Sequence, residues 1–431
     1  MALSSPASPA SPDASGASGA GTPASAGPGA AGPPRPTRGL LPLLLAGNTA
    51  MYALYIGVPG LLLALQIEEI DPAGKVANFG LVSGVSAVFA TVFNPVAGAL
   101  SDRSGRRNPW ILAGGLLAVP VMLLLGSVDT VLLVMIAWCL GQAVMNVYQA
   151  ALTSVVPDRV PLAARGRASA AVGLGLPVGS TIGALVGAAF SEDYRTGYLV
   201  FGAIVAATAV LFTVCAREER MPPKAALPVR AQLAAFGSAL KDHDFRWAFI
   251  GRALLVLGYF AVAGFQLYIL KDHTDLPAGL SPEEAVALLM PVNSVAMVVS
   301  TVLGGWLSDR YDRRKLFVGA SAALAAVALL IPAVSSSWPA MLAFSVVNGL
   351  GFGCYMAVDT ALVTMVLPKA EDAARDMGVL NVANAGPQIV APFVASLVVS
   401  LSGGGYTALF VVAAVLSVLG ALAVRPIRSV R

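Results

Sequence analysis

The chain has 431 residues, of which 57% are hydrophobic and only 12% charged, with a formal net charge of +4 and a mean hydropathy of +0.78. Soluble domains carry roughly 25% charged residues, so a soluble globular protein is excluded. The basic excess does not point to nucleic acid, because Lys and Arg sit in short loops between apolar runs, the pattern of membrane topology. Cys139, Cys215 and Cys354 all fall inside apolar runs, which leaves no disulfide framework. His243 and His273 are too isolated for a metal site, and no nucleophile set can be assembled. Neither enzyme activity nor a cofactor is expected.

Residues 1–38 are almost entirely Ala, Ser, Pro and Gly. Such a segment cannot bury enough apolar surface to offset its ordering entropy, and it lacks the basic-then-apolar order of a signal peptide. It reads as a disordered cytoplasmic tail. Twelve apolar segments follow, each of about the roughly 20 residues that cross a bilayer. They are 39–66, 76–100, 110–127, 130–153, 167–190 and 196–216, then 246–270, 284–308, 316–334, 338–366, 378–401 and 405–425. Helix is the state that satisfies the backbone of such segments internally. The expected fold is an all-α integral membrane protein of about 12 transmembrane helices. It comprises a six-helix bundle over 39–216, a cytoplasmic loop over 217–245, a second six-helix bundle over 246–425 and a short cytoplasmic tail over 426–431. With both termini placed inside, 23 of the 27 Lys and Arg residues fall on cytoplasmic segments; Lys75, Arg195 and Lys271 lie outside, and Arg252 lies within a span.

The hairpin Gly98-Ala-Leu-Ser-Asp-Arg-Ser-Gly-Arg-Arg107 recurs 207 residues later as Gly305-Trp-Leu-Ser-Asp-Arg-Tyr-Asp-Arg-Arg314, with seven of ten positions identical. Tyr148 and Tyr355 differ by the same interval, and Arg165/Arg375 and Pro177/Pro387 by 210. The halves are therefore parallel repeats, an architecture that places substrate at the repeat interface near mid-membrane.

On these residues the chain resembles the major facilitator superfamily from about residue 39 to 425. The first hairpin matches the family signature between the second and third helices, and in the degenerate second copy Asp312 replaces the glycine matched by Gly105. Within the superfamily, four stretches are similar to bacterial glycoside and sucrose cation symporters. These are Ser101-Asp-Arg with Gly105-Arg-Arg-x-Pro-Trp110, Pro157-Asp-Arg-Val-Pro161, Arg165-Gly-Arg167, and Asn381-Val-Ala-Asn384 with Pro387. Sugar-type members carry a longer insert where this chain has only Ser104. Drug–proton antiporters carry an arginine where it has Ala137, and a Gly-Pro pair where it has Leu176-Pro177.

Gly98, Asp102, Arg103, Gly105, Arg106 and Arg107, with Asp309, Arg310, Arg313 and Arg314 in the second copy, form the expected cytoplasmic gate. Asp102 can face a helix N-terminus across the bundles, and the arginines can clamp carbonyls or lipid headgroups. The resemblance implies that the first, fourth, seventh and tenth spans line the central cavity. Independently, each carries polar residues on one face: Asn48, Tyr52 and Tyr55; Gln142, Asn146 and Gln149; Arg252, Tyr259 and Gln266; Asn348, Tyr355 and Asp359. Such stripes face a solute pathway or hydrogen-bond one helix to another. Arg252 and Asp359 are the acid and base lying well inside spans, at similar depth, either as a proton-coupling pair or as a structural ion pair. The glycine run Asn348-Gly-Leu-Gly-Phe-Gly353 reads as close helix packing, not a phosphate loop.

The expected function is secondary active transport of a small organic solute across the cytoplasmic membrane by alternating access. Coupling is to protons or another cation and the solute is sugar-like, with efflux of drugs or secondary metabolites as the alternative. The expected partners are solute, coupling ion and membrane lipids, not nucleic acid, and the protein is expected to be a monomer.

Overall fold

The computed structural model describes residues 39–161, 164–216, 218, 240–311, 313–365 and 373–428. The expected disordered tail at 1–38, most of the linker, Asp312 and the side chains of Arg375 and Asn381 lie outside the described residues. Apart from one isolated bridge between Asp275 and Ser337, the described residues hold helices and no strand. The first half contains α1 (Leu40–Ile70), α2 (Lys75–Ser104), α3 (Asn108–Ser127), α4 (Val131–Arg159), α5 (Arg165–Ala189) and α6 (Tyr194–Cys215). The second contains α7 (His243–Ala263) with a short continuation, Gln266–Asp272, then α8 (Pro282–Tyr311), α9 (Arg314–Val334), α10 (Trp338–Met365), α11 (Ala373–Leu401) and α12 (Thr407–Ala423). Eleven of these are long and apolar enough to cross a membrane, and α12 follows with 17 residues. Exposed Val92, Leu132, Val302 and Leu397 put apolar side chains where acyl chains would lie.

Every helix follows its expected apolar segment, but several run on into the polar flanks. The charged hairpin residues Asp102 and Arg103 are helical, as are Asp309 and Arg310. Hydropathy marks the lipid-buried part of a span, whereas backbone hydrogen bonding continues until a cap stops it. The stops have local causes. Gly105, at φ 64°, ends α2 in the left-handed conformation that glycine adopts without strain. Asp193 caps α6 through Thr196 N–H, and Asp242 caps α7 through Phe245 N–H at 2.9 Å. Ser281 and Glu284 form a reciprocal capping box at the start of α8, at 3.1 and 3.0 Å. Inside α1, Pro59 cannot donate to the preceding turn, and the helix widens into a π turn over Val58–Leu62.

The repeat holds in three dimensions. In the first half α1 packs on α5, α2 on α4, α3 on α6 and α3 on α4; six helices later α7 packs on α11, α8 on α10, α9 on α12 and α9 on α10. The halves meet where α2 lies against α11 and α5 against α8. Small residues make these approaches possible. A Cβ at Gly175 would stand 2.6 Å from Asn48 Cβ, one at Gly183 2.6 Å from Ala53 O, and one at Gly349 2.6 Å from Asn293 O. Within the run, Gly349 and Gly353 thus admit α8 against α10, whereas Gly351 admits α9, where a Cβ would stand 2.9 Å from Ala325 N.

Candidate functional site

In the second half, a small cavity of about 40 Å³ lies between α7, its continuation, α8 and α10. That is room for roughly two or three water molecules. Its polar lining is Tyr259, Gln266, Asn293, Ser345 and Asn348, set among Met290, Met341 and Phe344. Asn293 Nδ2 donates to Ser345 O at 3.0 Å, and Ser345 Oγ donates to Leu289 O at 2.9 Å. Tyr259 stacks on Phe352, with ring centroids 3.8 Å apart. Tyr259, Gln266 and Asn348 were singled out by helical spacing; Asn293 and Ser345 were not, because they come from the eighth span and from one helical turn before Asn348.

The first-half stripes are largely engaged with neighbouring helices. Asn48 is buried at the α1–α5 seam, and its Nδ2 donates back to Leu44 O at 2.8 Å. Tyr52 lies along the same seam, beside Gly179. Tyr55 donates to Gln149 Oε1 at 3.2 Å, which joins α1 to α4. Asn146 accepts from Asn94 Nδ2 of α2 at 2.8 Å and donates to Gln142 O at 2.7 Å.

Arg252 Nε lies 3.2 Å from Asp359 Oδ2, and both residues are buried. The two atoms are close enough for charge attraction but are not aligned for a hydrogen bond. Tyr355, one turn before Asp359 on α10, is 1% exposed and belongs to the same buried region. Leu255, Phe352, Val358 and Leu362 surround the group as a separate apolar cluster of the second half.

The two hairpins repeat one internal ion pair. Arg107 Nη2 pairs with Asp102, and Arg314 Nη2 with Asp309 at 3.1 Å. The first hairpin goes further. Arg107 is only 3% exposed, donates from Nε to Asp158 at 2.9 Å and from Nη1 to Ser101 Oγ at 2.7 Å. Its pKa is raised above the ordinary arginine value: burial opposes the charge, but the bonds to Asp102 and Asp158 outweigh it. Among the described residues Arg107 therefore turns inward onto Asp102, Ser101 and Asp158 of its own half, whereas Arg103 and Arg106 are exposed. Gly98 has open space where a Cβ would sit. Arg310 lies over the Trp306 ring at 5.4 Å, and Arg313 is exposed.

The opposite ends of the helices carry a network that sequence spacing did not reveal. Glu68 of α1 holds Lys75 at 2.9 Å and Lys271 at 2.8 Å; Lys75 also holds Asp272 at 2.9 Å, and Lys271 holds Glu283 at 3.2 Å. Tyr406 donates to Asp272 at 3.2 Å, and Tyr268 to Ala64 O at 2.8 Å. Beneath lie Phe79, Phe265 and Tyr268 in edge-to-face contact. Ser180 and Ser294 meet at 2.9 Å between α5 and α8. Together these contacts tie the halves at the face away from the hairpins.

A sequence model described as the Major Facilitator Superfamily matches residues 43–282 and 271–430. The chain belongs to that superfamily. Among relatives of this facilitator is the MFS transporter asaE of Aspergillus flavus, 25% identical over 340 residues that span 76% of this chain and 72% of asaE. Another is the multi-drug resistance efflux pump PmrA of Streptococcus pneumoniae, 24% identical over 313 residues that span 70% and 75%. In fold the facilitator is similar to a crystal structure of the nucleoside transporter NupG, with a TM-score of 0.74 and 14% identity over 90% of this chain and 99% of that one. It is a multi-pass membrane transporter.

Within this facilitator the motif Pro157–Pro161, which closes α4, has a structural explanation. Asp158 receives Arg107, Arg159 donates to Asn108 Oδ1 and Glu218, and Arg165 Nη2 donates to Pro157 O at 2.9 Å. The signal for the opposite-face network was also present in the sequence: the few charges flanking spans on that side, Glu68, Lys75, Lys271, Asp272 and Glu283, fall in both halves.

Proposed function

We propose that this facilitator is a proton-coupled secondary transporter that exports small amphipathic organic molecules across the cytoplasmic membrane. The observation that carries this reading is the buried Arg252–Asp359 pair on the two helices that also line the cavity. Tyr259 lies seven residues beyond Arg252, and Asn348 eleven before Asp359, so pair and cavity are separated by roughly 10–16 Å of helix. Protonating Asp359 removes the partner of a buried Arg252, and an unpaired buried charge costs several kcal/mol. Proton binding is thereby linked to rearrangement of α7 against α10, and through them to the cavity. The mixture of aromatic, methionine and amide groups at the cavity supports an amphipathic solute, and it agrees with an efflux pump among the relatives. A sugar-like symport reading is favoured by the three amides Gln266, Asn293 and Asn348, which suit a solute rich in hydroxyl groups.

The hairpin face is the cytoplasmic one in this reading, with both termini inside, since exposed Arg103, Arg106, Arg310 and Arg313 gather there. The ties between halves at the opposite face then close the outer side, and the transport cycle breaks them. Reconstitution into proteoliposomes tests the proposal. A proton gradient is expected to drive transport of lipophilic amphiphiles and not of glycosides. Asp359→Asn is expected to lower gradient-driven transport at least tenfold while substrate exchange at equal pH persists. Gradient-driven transport unchanged in Asp359→Asn would overturn the coupling role, and glycoside-specific flux would select the symport reading.

A further inference from the structure

The two halves treat the start of their third helix differently. In the first half, Glu218 closes the N-terminus of α3. Its carboxylate accepts from Arg107 N–H, from Asn108 N–H at 3.0 Å and from Arg159 Nη2 at 2.5 Å. Asn108 Nδ2 meanwhile donates to Ala216 O at 2.6 Å, fastening α3 to the end of α6. The second half repeats the fastening. Lys315, 207 residues after Asn108, donates from Nζ to Arg425 O at 2.6 Å and to Ile427 O at 2.7 Å. The residue 207 after Glu218, however, is Arg425. Where one half supplies an internal carboxylate, the other supplies a cation. The first turn of α9 has no acidic side chain, and Arg313 at its cap makes no side-chain capping bond.

Between α9 and α12 at this point lies a groove of about 710 Å³. Its rim is Arg313, Lys315 and Arg425, of which Arg313 and Arg425 are exposed. Its floor is small and apolar, with Gly319, Ala320, Ala323 and Ala421 between the exposed side chains of Leu316 and Leu422. At Gly319 there is open space where a Cβ would be. The groove therefore combines cations at the end of the spans with an apolar channel continuing along them. Among the described residues nearby, Asp309 is paired with Arg314 and Asp244 accepts from Arg428 N–H at 3.0 Å.

We propose that this groove binds one anionic phospholipid. Its phosphate sits between Arg313 and Arg425, in the place that the Glu218 carboxylate takes in the first half, and an acyl chain lies over Gly319 and Ala323. A basic pocket at a span boundary attracts an anionic headgroup at about 1 kcal/mol per Lys or Arg, and small floor residues admit the chain without repacking. A zwitterionic lipid satisfies the floor but not the rim, and a free anion satisfies the rim but not the floor.

Native mass spectrometry of the delipidated full-length protein, titrated with phosphatidylglycerol or phosphatidylcholine, tests this. The protein is expected to retain one phosphatidylglycerol in preference to phosphatidylcholine. Arg313→Gln with Arg425→Gln is expected to weaken phosphatidylglycerol binding by roughly thirtyfold, while Arg313→Lys with Arg425→Lys retains most of it. Gly319→Leu is expected to weaken both lipids. Thermal unfolding of each variant checks that it is folded. Equal phosphatidylglycerol affinity in the wild type and the Gln double variant would overturn the proposal. So would displacement of the lipid by millimolar glycerol phosphate, which would mark a site for free anions, or a dimer that occupies the groove in place of lipid.

Discussion

Arg107 shows how a signature residue can act from inside the protein. Its side chain joins the end of α2 to the end of α4 through Asp102 and Asp158, and its backbone N–H joins Glu218 beyond α6. Removing one member of a buried pair costs about 3–5 kcal/mol, because the remaining charge loses its partner. Arg107→Ala is therefore expected to lower the melting temperature in detergent by several degrees or to abolish the monodisperse protein, whereas Arg106→Ala, on an exposed neighbour, is expected to leave it unchanged; size-exclusion and thermal-unfolding profiles check both. Single residues also mark the limit of spacing arguments. The periodicity that selected Asn48, Tyr55 and Asn146 identifies a shared helix face, and a face seen by another helix looks the same in sequence as a face seen by solute. Only the distances to Gly175, Gln149 and Asn94 separate the two cases.

At the scale of elements, the α1–α5 seam depends on backbone approach. Gly175, Gly179 and Gly183 each admit α1 at a distance that a side chain would block. Gly179→Leu is expected to separate the pair, with a loss of folded yield that Gly173→Leu, whose Cβ site is open, does not share; fluorescence-detected chromatography of the two variants compares them. The face opposite the hairpins rests on contacts of another kind. Its ion pairs are partly exposed, and exposed pairs contribute roughly 0–1 kcal/mol each, so closure depends on several acting together over the Phe79–Phe265–Tyr268 layer. In the proposed cycle, such a tie is strong enough to bias a state and weak enough to break at each turn. The positions of the helices were legible in sequence because apolar length encodes them; their ends were not, since α4 runs on from the expected 153 to Arg159 and the seventh span breaks after Ala263. The network was not, because Glu68 and Lys271 are 203 residues apart and meet only once the two halves dock.

For the whole molecule, duplication explains most of what was legible. A hairpin repeated 207 residues apart implied two parallel six-helix halves, and helix pairing in one half recurs in the other. Departures from that symmetry carry the individual chemistry: the Arg252–Asp359 pair in the second half only, the buried Arg107 hub in the first, and Glu218 opposed by Arg425. The account holds that the halves rock as units, opening one face as the other closes. Double electron–electron resonance in lipid nanodiscs tests this directly, with the three native cysteines replaced. One spin-label pair is introduced by Ala73→Cys and Ala278→Cys across the ion-network face, and a second by Arg167→Cys and Tyr311→Cys across the hairpin face. Breaking the network with Glu68→Gln and Lys271→Ala is expected to lengthen the first distance by several ångströms and to shorten the second. A first distance that lengthens while the second stays fixed, or two distances that ignore the loss of the network, would contradict the account.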